Sequence, residues 1–424
     1  MKNKQAILLL LIANSISGVS QGISMLAIPW YFTNVIHQSN FFSFLYLFIN
    51  GISLIWGLYA GTLVDRHSRK NIFLVMNIVG LVMLSGISIT GFLQGDSHWS
   101  LVALAFATTV FIYNIHFPNL YAFAQEITPK EQYAKVTSQL EIQGQVTWTI
   151  AGGVAALLLN GVDGKMNLLG YEMAVPIHFK AWKIHEIFMI DAATYFVAFM
   201  MIYFITTFSV VNKEIDTDSL VKRMRTGFSF LKRNPILFLF GNASLIVFLS
   251  ILIHGTLINP IYVDQFLHQS GDVYAMSDMV FSAGALLAGF IATSLVSPKN
   301  QIKGIALFSV AAGLLFTFQI TNRSLPLFFL SYFIIGACNA SIRIHRITYL
   351  FSHIPNHIIG RANSVFFMVN VLERMLLISL FTLPFFHHHE NIIWANGVLA
   401  FICILAGLII YFYKEKLAQI SVSK

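Results

Sequence analysis

Runs of about twenty residues with almost no charge recur from one end of this chain to the other, among them NIFLVMNIVGLVMLSGISIT (71–90), ILFLFGNASLIVFLSILI (236–253) and VLAFICILAGLIIYF (398–412). A helix of that length crosses a hydrocarbon core roughly 30 Å thick. Inside such a core each backbone polar group must find its partner within the segment, so uninterrupted apolar runs of this kind predict helices. Only 10% of the 424 residues are charged, where a soluble protein carries about 25%. The chain is therefore expected to be all-α and polytopic, with no segment left over for a soluble domain.

The apolar runs and their breakers predict twelve spans, at 6–33, 41–63, 71–93, 99–125, 137–159, 184–208, 236–259, 272–295, 303–321, 325–350, 362–386 and 392–413. An even number puts both termini on one side. With these spans, 19 Lys and Arg residues fall on the side of the termini and only four (Lys165, Lys180, Lys183 and Arg323) on the other, while Arg343, Arg346 and Arg374 lie within spans. Basic residues are retained in the cytoplasm during insertion, so the asymmetry predicts cytoplasmic termini and supports the span count. Lys2, Lys4 and AILLLLIANS imitate a secretory signal. The apolar stretch continues to Phe32 without a small-x-small cleavage site, and it is read as a retained first span. Cys338 and Cys403 both lie in apolar runs, where they report packing and not a redox compartment.

The longest polar interval between spans, 209–235, divides the chain into an N-terminal six-helix bundle (1–208), a cytoplasmic linker, and a C-terminal six-helix bundle (236–424). Leu220, Met224, Phe228 and Leu231 fall near one stripe of an otherwise basic stretch, which predicts an amphipathic linker helix on the inner leaflet. Internal repeats suggest that the bundles are pseudo-symmetric. Pro129, Lys135 and Ser138 recur as Pro355, Arg361 and Ser364, at an offset of 226, and the first and seventh spans end in Pro29-x-Tyr31 and Pro260-x-Tyr262. Parallel halves of this kind describe one large transporter class.

Between the second and third spans lies GTLVDRHSRK, which contains Gly61, Asp65, Arg66, Arg69 and Lys70. It resembles the signature loop of the major facilitator superfamily, G-x-x-x-D-R-x-x-R-K, in the loop where that family carries it; Ser68 stands where many members have glycine. The residues also have a physical reading of their own. Gly61 allows two helices to approach closely, and Asp65 suits a helix N-terminus, where the macrodipole favours an anion. The resemblance covers essentially the whole chain and implies a bacterial inner-membrane transporter, not an enzyme, that works by alternating access. It also implies that Asp65 meets the start of the eleventh span around Arg361 and that Arg69 pairs with Glu126. Together these contacts would latch the halves on the cytoplasmic side. The matching second-half loop, SLVSPKNQI, keeps Lys299 and Lys303 but no acid.

Exporters of the family often carry G-x-x-x-G-P-x-x-G-G in the fifth span. Gly144, Gly152 and Gly153 match it, but Trp148 and Thr149 replace the glycine-proline pair, so the motif does not settle direction. GISMLAIPWYFT (22–33) and FMIDAATYF (188–196) are similar to the branch containing macrolide-efflux proteins and siderophore exporters. This similarity implies proton-coupled efflux of a drug or siderophore-like compound; the alternative is an importer of a siderophore or other nutrient.

Proton coupling needs a buried group that titrates. The first span offers only Asn14, Gln21 and serines, which leaves Glu141, Asp191 and Glu373. Glu141 is close enough to the cytoplasmic loop to join its ionic network. Asp191 lies near the outer end of its span and suits a structural cap. Glu373, near the midplane, is the best titrating candidate. Arg343 and Arg346, three residues apart, share one helix face. Arg346 either snorkels to the interface or joins the inner gate. Arg343, at a depth similar to Glu373, is either its static partner or a ligand for an anionic substrate. His116, Asn119 and His254 read as hydrogen-bonded structure. Adjacent histidines in HHHE (387–390) point in different directions, so no metal site is expected. The expected partners are a small-molecule substrate and the bilayer, with no nucleic acid, in a monomer that needs no cofactor beyond an ion gradient, taken to be protons.

Overall fold

The computed structural model describes residues 2–129, 132–168, 171–205, 220–295 and 300–420. Among them, twelve helices are long and apolar enough to cross a membrane, and each overlaps one of the predicted runs. The face that carries the signature-loop motif and the linker helix is the terminal side, and the opposite face is the far side.

The seventh span is broken where the sequence looks continuous. It runs as Pro235–Ala243, Ile246–Ile253, a widened π turn at His254–Ile258, and Asn259–Gln265. Pro260 has no amide hydrogen to close the preceding turn, so the helix loosens ahead of it. The Gly255 carbonyl in that turn is met from the eighth span by the Tyr274 hydroxyl, 3.2 Å away. The first span also loosens at its far end, in a π turn at Tyr31–Val35.

These two far-side ends are built alike. Ile36 and Leu267 donate their amides to the carbonyls of Tyr31 and Tyr262, and Gln38 and Gln269 donate to Phe32 and Val263. His37 and His268 both take φ 51°, in the left-handed region. The matching sequences are IHQS (36–39) and LHQS (267–270), in the register set by the two Pro-x-Tyr pairs.

Between the fifth and sixth spans, strands β1 (Val162–Leu168) and β2 (Tyr171–Phe179) form an antiparallel hairpin that was not anticipated. Gly161 starts it with φ 70°, and a side chain there would strike the Phe179 carbonyl. The linker helix, Leu220–Arg233, does more than lie on a leaflet. Leu231 is buried and Gly227 packs on the Arg361 backbone at the start of the eleventh span, while Phe228 stays exposed.

The halves meet along the fifth and eighth spans and along the second and eleventh. At the first of these seams the approach is backbone to backbone, since a Cβ at Gly152 would lie 2.7 Å from the Met279 amide nitrogen. On the far side, the Trp30 and Tyr274 rings stack with centroids 5.8 Å apart. Asn34 donates to Asp264 Oδ1 over 2.7 Å, and His387 meets Ser39 and Ser43. The far side is therefore closed by contacts between halves.

Candidate functional site

On the terminal side of this seam the halves diverge around a cavity of about 260 Å³. The fourth span contributes Tyr113, Phe117 and Tyr121, the fifth Glu141, Gly144, Gln145 and Trp148, the seventh Ser244 and Phe248, and the tenth Asn339, Arg343 and Arg346. The tenth span presents its two arginines to the same wall because three residues make nearly one helical turn.

Arg343 does not pair with Glu373. Its Nη2 lies 3.1 Å from Glu141 Oε2, across the gap between halves. The other Glu141 oxygen accepts a 2.7 Å hydrogen bond from the Tyr121 hydroxyl. Glu141 therefore joins a contact between halves and not the ionic network of the loop. Counting residues along a span gives depth but not the direction in which a side chain points, and both carboxylates satisfied the depth criterion. Glu373 Oε2 and Arg346 Nε are buried without a hydrogen-bond partner. Arg374 Nε is likewise buried without a hydrogen-bond partner.

Asp191 is fully buried within the N-terminal half. It accepts a 2.7 Å hydrogen bond from Ser24 of the first span, and its Oδ1 has no partner. Ser24 thus ties the first span to the sixth. His116 donates from Nε2 to Asn14 Oδ1 at 2.6 Å, because the Asn14 amide is already directed at Gln143 Oε1. His254 Nδ1 is 2.9 Å from the Tyr332 hydroxyl. Asp278, in the eighth span near Tyr274 and Tyr332, was overlooked; the visible signal was an acid in the apolar run MSDMVFSAG.

In the signature loop, Arg69 Nη1 bonds Glu126 Oε2 at 2.9 Å and the Ala122 carbonyl at 2.8 Å, so a cation binds the last turn of the fourth span, where the helix dipole is negative. Asn119, which read as hydrogen-bonded structure, donates to the Arg69 carbonyl. Lys70 Nζ donates to the carbonyls of Tyr203 and Ile205 at the end of the sixth span. Both interactions stay within the N-terminal half. Arg66 is exposed, Arg361 packs against the linker helix, and the packing of Gly61 and the side chain of Asp65 lie outside what the structure describes. No cluster of metal-ligating side chains occurs among the described residues.

The chain is similar to two macrolide efflux proteins A. It is 22% identical to that of Enterococcus faecalis over 56% of this chain and 67% of the relative, and 21% identical to that of Streptococcus pyogenes over 65% and 63%. The matches thus span about two thirds of these relatives' length. Among solved structures, a peptide transporter POT superposes with a TM-score of 0.72 at 13% identity, over 98% of this chain and 95% of the other. A bacterial homologue of the iron transporter ferroportin, solved in an inward-facing state, gives 0.70 at 13% identity over 98% of each chain. At such identities the likeness establishes the fold alone. The model of the Major Facilitator Superfamily matches residues 10–376, the greater part of the chain, and with the twelve spans in hand the chain belongs to that superfamily.

Proposed function

We propose that this protein is a secondary active transporter that exports a small organic molecule, of drug or siderophore-like type, from the cytoplasm across the bacterial inner membrane, with both termini cytoplasmic and protons as the coupling ion. The observation that carries this reading is the asymmetry between the two faces. Backbone packing and ring stacking hold the halves together on the far side, whereas on the terminal side a cavity lies between them, bridged by a partly exposed ion pair. In a carrier that alternates access the two gates open in turn, so each state has one side closed and the other accessible. The side chains of Arg343 and Glu141 retain 37% and 42% of their exposure, and exposed ion pairs contribute only about 0.2–1 kcal/mol.

Export is favoured by the similarity to proteins named for macrolide efflux. Proton coupling is supported by carboxylates held inside spans without a basic partner among the described residues, with Asp191 the most enclosed. A strain lacking the protein, profiled for metabolites in cells and medium and challenged with a compound panel, tests direction. Loss of one metabolite from the medium, or new sensitivity to one compound, is the result expected of an exporter. Loss of uptake would replace export with import.

A further inference from the structure

The walls of the terminal-side cavity carry two guanidiniums, Arg343 and Arg346, against a single carboxylate, Glu141. Among the described residues only one of the two has an acidic partner: Arg343 is bonded to Glu141, while Arg346 presents a buried Nε with no hydrogen-bond partner. Arg346 as a whole is only partly buried, but a buried N–H without an acceptor is costly, and a ligand that supplies the acceptor offsets that cost. The remaining lining is largely aromatic, with Tyr113, Phe117, Trp148 and Phe248 facing the gap. Its volume of about 260 Å³ falls just below the range of roughly 300–1,000 Å³ typical of drug-sized sites.

We infer that the cavity binds a small aromatic organic anion, whose carboxylate engages Arg346 and displaces Glu141 from Arg343. A guanidinium binds a carboxylate through two parallel hydrogen bonds, and its flat face stacks on aromatic rings, so one arginine and this lining suit both ends of such a molecule. Glu141 acts as an internal stand-in for the cargo carboxylate. When the cargo takes its place, Glu141 keeps its bond to Tyr121, and the Arg343–Glu141 ion pair that joins the halves beside the cavity is broken. Binding is thereby connected to the loosening of that contact. The inference rests on the carrier reading above in treating the anion as cargo.

The probe is salicylate, with neutral salicylamide as its near-isostere, titrated calorimetrically into the full chain in lipid nanodiscs. Salicylate is expected to bind at least tenfold more tightly than the amide. Arg346→Gln should weaken salicylate at least tenfold and abolish the preference, Glu141→Gln should tighten it severalfold, and Lys416→Gln, which removes a distant charge, should change nothing. If Arg346→Gln fails to yield a monodisperse protein, Arg346→Lys serves instead; it keeps the charge, loses the paired geometry, and should still weaken binding severalfold. Absence of salicylate binding, equal binding of the amide, or undiminished binding by the Arg346 variant overturns the inference. Counterflow of labelled salicylate in proteoliposomes separates the two readings. Binding without counterflow upholds the anion site and overturns the carrier reading, whereas proton-driven flux of another compound without salicylate binding upholds the carrier and overturns the anion site.

Discussion

Arg343 of the tenth span and Glu141 of the fifth are joined at 3.1 Å across the gap between the two halves. Because both remain partly exposed, the pair is a weak fastener. Glu141→Gln is expected to lower the melting temperature by no more than a few degrees, in line with a loss of about 0.2–1 kcal/mol. It should nevertheless open the terminal side. A cysteine at Gln145, in a background without Cys338 and Cys403, should be alkylated about threefold faster, as a loss of roughly 0.65 kcal/mol implies. An unchanged labelling rate would show that the bridge does not restrain the gap.

The fifth-span glycines should separate into two classes. At Gly152 a side chain meets the backbone of the eighth span, whereas at Gly144 nothing lies within 4 Å of an added Cβ. Gly152→Val is therefore expected to cost about 1–3 kcal/mol through overpacking and to expose the far side, read as faster labelling of Asn34→Cys by a membrane-impermeant thiol reagent. Gly144→Ala should leave both thermal stability and that labelling unchanged.

His387 makes the far-side closure sensitive to pH. Burial is the main cause that pushes its ring below the ordinary 6.5, with His388 acting in the same direction and the bond to the Phe381 carbonyl opposing them. Since that carbonyl can only accept, Nε2 carries the hydrogen and Nδ1 is free to accept from Ser39. The neutral ring is thus the form that fits the closed state. Its contribution is complete above its ordinary pKa and is lost as the pH falls below it. Normalised at each pH to the rate of a free thiol, whose own reactivity falls with pH, labelling of Asn34→Cys should be faster at about pH 5.5 than at about pH 7.5, and His387→Gln should flatten that difference.

Asp191 allows the coupling ion to be tested apart from movement of cargo. Asp191→Asn keeps the shape and can still accept from Ser24, but it cannot take up and release a proton. If this carboxylate carries the coupling proton, exchange of labelled against unlabelled cargo should survive in the variant, while accumulation driven by a pH gradient should fall at least tenfold, a loss of about 1.4 kcal/mol of driving force. Accumulation at the wild-type level would remove Asp191 from the coupling path. Loss of both activities would assign it to the structural tie between the first and sixth spans.

The spans were legible because bilayer thickness constrains a linear property of the chain, the length of an apolar run. What escaped depends on direction around a helix or on partners far away in sequence. Arg343 and Glu373 agree in depth, yet the tenth span turns Arg343 toward the fifth. The Glu126 partner of Arg69 could be named in advance only through resemblance to a family, since nothing in the spacing of residues 57 positions apart announces it. The hairpin of β1 and β2 had its signal in the letters, in Asn160-Gly161 and Asp163-Gly164 ahead of alternating residues, but it lies in an interval between spans that apolar run length does not reach. Asp278 and the repeated His-Gln-Ser were visible in the letters themselves. The first was an acid in an apolar run, and the second was a tripeptide repeated in the register that Pro29 and Pro260 already defined.

The paired left-handed turns set up a comparison between backbone and side chain. For a residue with a Cβ this conformation costs about 1–2 kcal/mol, a penalty that glycine escapes. His37 and His268 nevertheless occupy it in both halves, each near a seam on the far side. If turning the chain were all that these positions required, the cheaper residue would serve at either one. Each corner therefore offers a substitution, His37→Gly or His268→Gly, that removes the ring and the Cβ penalty together and so separates what the side chain contributes from what the turn requires.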